Sequence, residues 1–208
     1  MPVDSKPSID DFDRVLVVEG YNDLAFYAEV LELVGKHGQV FIQEVGGKSL
    51  FKKKLEALIN DKLLERKQAI AVVIDCDADP AGTCKSFEDL LSKLTGQKVV
   101  EGSWTTGSPR VGLMVVPGGG ATGEIETLVW SSWANAPANA PQKQCVESYV
   151  ECMKTQGFAA RSPDKGLIGA LLAVRFDEDP RLGPGARAHA FDLMLPELQK
   201  LREFLAGF

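Results

Sequence analysis

The chain has 208 residues, 45% of them hydrophobic, and its 23 Lys and Arg against 29 Asp and Glu leave a formal net charge of −6. That is enough apolar material for a full core, yet no run is long enough to cross a bilayer, and the first residues lack a basic start followed by an apolar stretch, so a soluble cytoplasmic protein is expected. The acidic balance argues against a surface built wholly for the phosphate backbone, whose affinity comes from Lys and Arg.

From the N-terminus, Arg14-Val15-Leu16-Val17-Val18 is an apolar β run that ends in Glu19-Gly20 and a helix-start signal at Asn22 or Asp23. The pattern predicts a strand over 14–18 and a helix over 22–35, with Leu24, Tyr27, Ala28, Leu31 and Val34 on one face. A strand over 39–45 then leads through Gly46-Gly47-Lys48-Ser49 into a helix over 49–66. That turn resembles the end of a phosphate-binding P-loop, but Ile42 stands where such a loop needs its first Gly, and nucleotide binding of that type is rejected. Gly47 and Lys48 can still present a backbone N–H and an ammonium to a phosphate; a tight turn with a surface lysine is the plain alternative. Lys48, Lys52, Lys53 and Lys54, with Arg66 and Lys67 beyond, form either a basic patch or a solvated helix face.

The third strand, 69–74, ends in Asp75-Cys76-Asp77-Ala78-Asp79-Pro80-Ala81-Gly82, where Pro and Gly open a loop. Residues two apart in an extended chain point the same way, so Asp75, Asp77 and Asp79 aim into one small volume. Their repulsion makes sense around a hard cation, Mg²⁺ or Mn²⁺; a solvated acidic turn is the bland alternative. If strands 14–18 and 69–74 are parallel neighbours, Glu19 joins the group. A helix over 83–94, a loop over 95–110, a strand over 111–116 and a helix over 124–133 follow.

This alternation predicts an α/β fold, a Rossmann-like and mainly parallel four-stranded sheet with helices on both faces, over residues 1–133. Ala134 to Gln142 reads as a loop, and 134–208 as C-terminal helices (143–156, 164–175 and 187–206) packing on the same domain. The cysteines Cys76, Cys84, Cys145 and Cys152 show no C-x-x-C spacing and the two histidines lie far apart, which argues against zinc and for free thiols. Cys76 alternates with the aspartates and should face the sheet packing.

Glu19-Gly20 with Asp23, and Asp75-x-Asp77 after a later strand, resemble the two signatures of the TOPRIM domain, found in topoisomerases, bacterial primases, recombination-repair proteins and the overcoming-lysogenization-defect nucleases. Val111 to Pro117, leading to Gly123-Glu124-Ile125-Glu126-Thr127-Leu128, resembles small stand-alone bacterial TOPRIM-like proteins of an uncharacterised class, and the likeness spans residues 12 to 175. It implies Mg²⁺- or Mn²⁺-dependent phosphodiester chemistry on DNA or RNA. The metal would be held by Glu19, Asp75 and Asp77, with Asp79, Glu124 or Glu126 for a second ion, and Lys165 would balance charge on the phosphate. No gate-forming tyrosine domain or primase accessory part is found, so hydrolysis is favoured over strand transfer. The alternatives are a module that binds metal, nucleotide or nucleic acid without cutting, and an interaction subunit of a phage-defence or toxin system whose tail from Arg181 to Phe208 docks a partner through Leu193, Leu195, Leu198, Leu201 and Phe204, although ordinary packing of that helix on the sheet is the stronger reading of those residues; a homodimer is also open. Asp75-x-Asp77 also resembles the start of haloacid-dehalogenase phosphatases, where it normally opens the domain on its first strand.

Overall fold

The structure, a computed structural model, describes residues 7–59, 66–76, 78–160, 162–176 and 179–208, with the side chains of Lys48 and Ser49 outside that description. Four strands, β1 (Arg14–Val18), β2 (Val40–Glu44), β3 (Ala69–Asp75) and β4 (Arg110–Val116), form one sheet in the order β2-β1-β3-β4. All neighbours are parallel, with Leu16 beside Ile42 and Ala71, and Asp75 beside Val116. The helices are α1 (Tyr21–Leu33), α2 (Lys48–Leu58), α3 (Pro80–Thr95), α4 (Ile125–Asn135), α5 (Ala140–Thr155), α6 (Pro163–Arg175), α7 (Leu182–Arg187) and α8 (Gln199–Ala206).

Two apolar clusters follow from the strand alternation. Leu16 and Val18 point to the face covered by α1, α4, α6, α7 and α8, while Val15 and Val17 point to the face covered by α2 and α3. Both faces are closed, which is why β1, β3 and β4 read as continuous apolar runs rather than as alternating ones. From β1 the chain passes to β2 on one side and then back across to β3 on the other, so the order reverses between β1 and β3. In open parallel sheets that reversal leaves a crevice outside the carboxyl ends of the strands. Among the described residues no helix is long and apolar enough to cross a membrane.

Three expectations change. The loop expected over Ala134–Gln142 is mostly helical: α4 runs to Asn135, a 3₁₀ turn spans Pro137–Asn139, and α5 begins at Ala140 with Pro141 in its first turn, where a missing N–H costs nothing. The single helix expected over 187–206 is broken into α7, an irregular stretch, a 3₁₀ turn at Pro196–Leu198 and α8, because His189 adopts a left-handed φ of 55° and ends α7. Lys67 does not belong to a surface patch; it is buried and donates to the carbonyls of Ile9 (2.7 Å) and Phe12 (2.6 Å), fastening the N-terminal turn to the sheet. Leu198, Leu201 and Phe204 are buried in this chain's own core, as ordinary packing of the tail requires, and Phe204 stacks on Trp104 at 5.3 Å. The far end of the predicted helix 49–66 falls on residues 60–65, outside the described residues.

Candidate functional site

The crevice between β1 and β3 gathers five carboxylates and one ammonium. Glu19 follows β1, and Asp23 lies one turn on, in the first turn of α1, where its Oδ2 accepts the Gly20 N–H at 2.8 Å. Asp75 ends β3 and its Oδ1 accepts the backbone N–H of Ile125 at 3.0 Å, so the head of α4 is fastened to the carboxylate. Glu124 and Glu126 flank Ile125 at that head. Lys165, in the first turn of α6, donates to Glu124 Oε2 and stands 3.9 Å from Glu126 Oε2.

Lys165 is held there by the way α6 starts. Ser162 caps the helix, and Asp164 Oδ2 accepts the Thr127 hydroxyl at 2.5 Å, which ties α6 to the first turn of α4. The same Thr127 Oγ1 accepts the Glu124 N–H at 3.1 Å. Gly123, at φ 128°, precedes this knot, and a Cβ there would meet Thr127 Oγ1 at 2.3 Å; only glycine fits. The buried Cys76 thiol donates to the carbonyls of Ala121 (3.1 Å) and Gly123 (3.4 Å), bringing the glycine-rich loop after β4 against the end of β3.

Crowded, partly dry carboxylates resist ionisation. Burial pushes Asp75 well above its ordinary range, and the charges of Asp23, Glu126, Glu19 and Glu124 add to the rise. Burial raises Asp23 as well, against the Gly20 N–H and Lys165, which favour its charge. Glu126 is pushed up to about 7, chiefly by burial, with Lys165 opposing. Burial alone would lower Lys165, but its hydrogen bond to Glu124 and the charge of Glu126 raise it. Beneath the cluster the Tyr27 hydroxyl, buried and facing Asp75 and Asp23, is driven well above its usual value.

The sequence-predicted residues divide clearly. Glu19, Asp75, Glu124, Glu126 and Lys165 share one electrostatic neighbourhood. Asp79 instead caps α3, its Oδ1 accepting the Gly82 N–H at 2.9 Å, and it lines a separate cleft with Cys84, Glu101 and the glycine loop. Gly47 lies at the same sheet edge and its N–H donates to the Glu19 carbonyl at 3.0 Å. Asp77 and the Lys48 side chain lie outside the described residues. Sequence reasoning gave Asp23 as a helix-start signal and as part of the Glu19-Gly20 signature without a site role, and Tyr27 as core; the signal for Asp23 was its place one turn beyond a strand-ending Glu. A cavity of about 1060 Å³ lies elsewhere, at the far ends of α1 and α4 beside Leu33, His37 and Trp133.

Carboxylate oxygens are the donors a hard divalent ion takes, and the excess of five carboxylates over one ammonium suits one chemically. Among the described residues, however, no three His, Cys, Asp or Glu side chains stand close enough together to share a metal ion.

Fold and site together define an α/β protein with a carboxylate-rich crevice at the switch point of a parallel sheet. The chain belongs to the family described as protein of unknown function (DUF3226), whose model matches residues 13–208. No curated protein and no solved structure matches it.

Proposed function

We propose that the protein is a TOPRIM-type, Mg²⁺- or Mn²⁺-dependent phosphodiesterase acting on nucleic acid. The observation that carries the reading is the nearness of Glu19, after β1, to Asp75, after β3, at the sheet's reversal point, with Lys165 close enough to feel the Asp75 charge. The TOPRIM likeness rests on the motifs quoted above.

In this reading Glu19, Asp75 and Asp77 hold the ion, and Glu126 is the further carboxylate for a second. A bound ion would supply charge neutralisation at the phosphoryl oxygen and a more acidic attacking water. The chain's own groups do the rest. Glu126, titrating at about 7, is poised to give or take a proton near neutral pH. Lys165, fixed by the Thr127–Asp164 knot, brings a positive charge to the edge where negative charge grows on phosphorus. Asp75 is held in place by the Ile125 N–H, so its carboxylate is oriented before any ligand arrives. The reading includes a cytoplasmic setting, in which the free thiols of Cys84, Cys145 and Cys152 persist.

The test is purified protein with Mg²⁺ or Mn²⁺ and single- and double-stranded DNA and RNA, beside Asp75→Asn. Metal-dependent cleavage abolished by the substitution is expected; no cleavage of any substrate with either ion overturns the reading. A second reading, a module that binds nucleic acid without cutting, is favoured by the spacing of the described carboxylates, none of which stand three together around one ion, and it expects binding that persists in EDTA with no product.

A further inference from the structure

We propose that the groove between the start of α1 and α7 seats an unpaired nucleobase, so that the strand engaged at the carboxylates is single-stranded. The inference rests on the phosphodiester reading of the adjoining site.

Tyr21 is the first feature. Its ring is 70% exposed, an unusual place for a large amphipathic side chain that this chain could have buried. It stands two residues beyond Glu19, which puts the two Cα atoms within about 7 Å along the chain. The ring walls a groove of about 360 Å³ whose other sides are Asn22, Leu24, Pro184, Arg181 and Arg187. That is the lower end of the range for small-molecule sites, matched to one base and its sugar rather than to a duplex.

Arg181 is the second feature. Its Nε donates to both carboxylate oxygens of Asp179 (2.8 and 2.9 Å), and its Nη1 donates to Asn22 Oδ1 at 3.0 Å. A planar guanidinium held on two edges is set before any ligand arrives, and it offers a flat cationic face to a base or a free N–H to a phosphate. Arg187 closes the far side, paired with Glu29 at 3.3 Å. The floor is fixed because α7 lies on α1 through Gly183, where a Cβ would meet Ala25 Cβ at 2.6 Å and Asn22 O at 2.8 Å.

The neighbouring groups give the path of the strand. On the β2 side of the carboxylates, Gly47 is bonded to the Glu19 carbonyl, and the Lys54 ammonium lies so close over Gly46 that a Cβ there would meet it at 2.8 Å. Lys54 adds a positive charge at this edge, while Arg181 and Arg187 are paired with Asp179 and Glu29 and offer their guanidinium faces rather than a net charge. A phosphate at Glu19 has its neighbouring nucleotide within reach of Tyr21, two residues on. Bases in a duplex have their faces covered by stacking; a free base has both faces open to an aromatic ring and a guanidinium.

The experiment measures anisotropy of fluorescein-labelled oligodeoxythymidine, oligouridine and a blunt DNA duplex of equal length, in EDTA and in Ca²⁺. A single strand should bind more tightly than the duplex, Tyr21→Ala should weaken it roughly 5- to 150-fold, and Tyr21→Phe should keep it, as loss of one stacked base predicts. Oligodeoxyuridine beside oligouridine tells deoxyribose from ribose at one base. Equal affinity for wild type and Tyr21→Ala, preference for the duplex, or no single-strand binding in either buffer overturns the proposal. A protein that binds as expected but cleaves nothing in Mg²⁺ loses the phosphodiesterase reading and keeps the groove. One that cleaves single strands with an unchanged KM in Tyr21→Ala loses the groove alone.

Discussion

Replacing Glu126 by Gln isolates the cost of crowding charge into the crevice. Glu126 is 7% exposed in the first turn of α4 and titrates at about 7 against an ordinary 4.5. The folded protein therefore holds its proton more tightly than the unfolded chain does. The neutral carboxyl costs nothing extra below pH 4.5, and its advantage is lost as pH rises through 7. At about 1.4 kcal/mol per pH unit, that rise corresponds to a stability loss of about 3 kcal/mol, complete at pH 8. Gln keeps the volume and the polar end but cannot ionise, so in metal-free buffer Glu126→Gln should exceed wild type by less than about 1 kcal/mol at pH 5 and by about 3 kcal/mol at pH 8. For a chain of this size that is roughly 6 to 12 °C in Tm. Urea unfolding of both proteins between pH 5 and 8.5 gives the difference directly. A flat difference across that window would refute the account, because it would mean that Glu126 titrates alike in the folded and unfolded states.

Millimolar Mg²⁺ or Mn²⁺ should raise Tm by several degrees in wild type and leave Asp75→Asn unmoved, since an ion bound only by the folded state stabilises by mass action; differential scanning fluorimetry with an EDTA baseline reads this, and equal shifts in both proteins would sink the assignment. Lys165→Ala should lower turnover roughly ten- to a thousandfold with the fold retained by circular dichroism, as loss of one transition-state charge contact predicts, and an unchanged rate on a substrate that wild type cleaves would remove Lys165 from the chemistry. Gly183→Ala should destabilise by about 1 to 3 kcal/mol because the added methyl has no room against Ala25 and Asn22; wild-type stability in chemical denaturation would show that α7 shifts freely on α1.

The strands and the sheet-covering helices were legible because their signals are local. Val15 to Val18 and Ala69 to Ile74 are apolar without alternation, as a strand buried on both faces must be, and the turns after them carry their own Gly, Pro and Asx markers. Residues 134–208 were harder. Pro137 and Pro141 read as breaks from sequence and Pro196 was passed over inside one expected helix, yet each sits in the first turn of a helical segment, where proline is at home. His189 ends α7 with a left-handed φ that no propensity announces. In the site, Glu19 and Asp75 could be paired from strand ends alone, since parallel neighbours bring those ends together. The length of the Asp79 side chain and its distance from Gly82 gave no warning that it would turn away to cap α3. Likewise Lys67 looked like its basic neighbours, and only the path of the N-terminal turn gives it two carbonyl partners.

The bond from the Ile125 N–H to Asp75 makes position 75 answer to two demands, one from whatever ligand the crevice takes and one from the helix that begins beside it. A side chain without an acceptor at that reach leaves an N–H unmatched at the head of α4, and Glu124, Glu126 and the α6 contact all hang on that head. Drift at this position is thereby channelled. A lineage that gave up the chemistry would still be held to Asp, Asn or another short acceptor, so an acceptor kept at this position would speak for the architecture as much as for any activity. Asp75→Asn separates the two, since it withdraws the charge and leaves the anchor; Asp75→Ala removes both at once, and its phenotype could be assigned to neither.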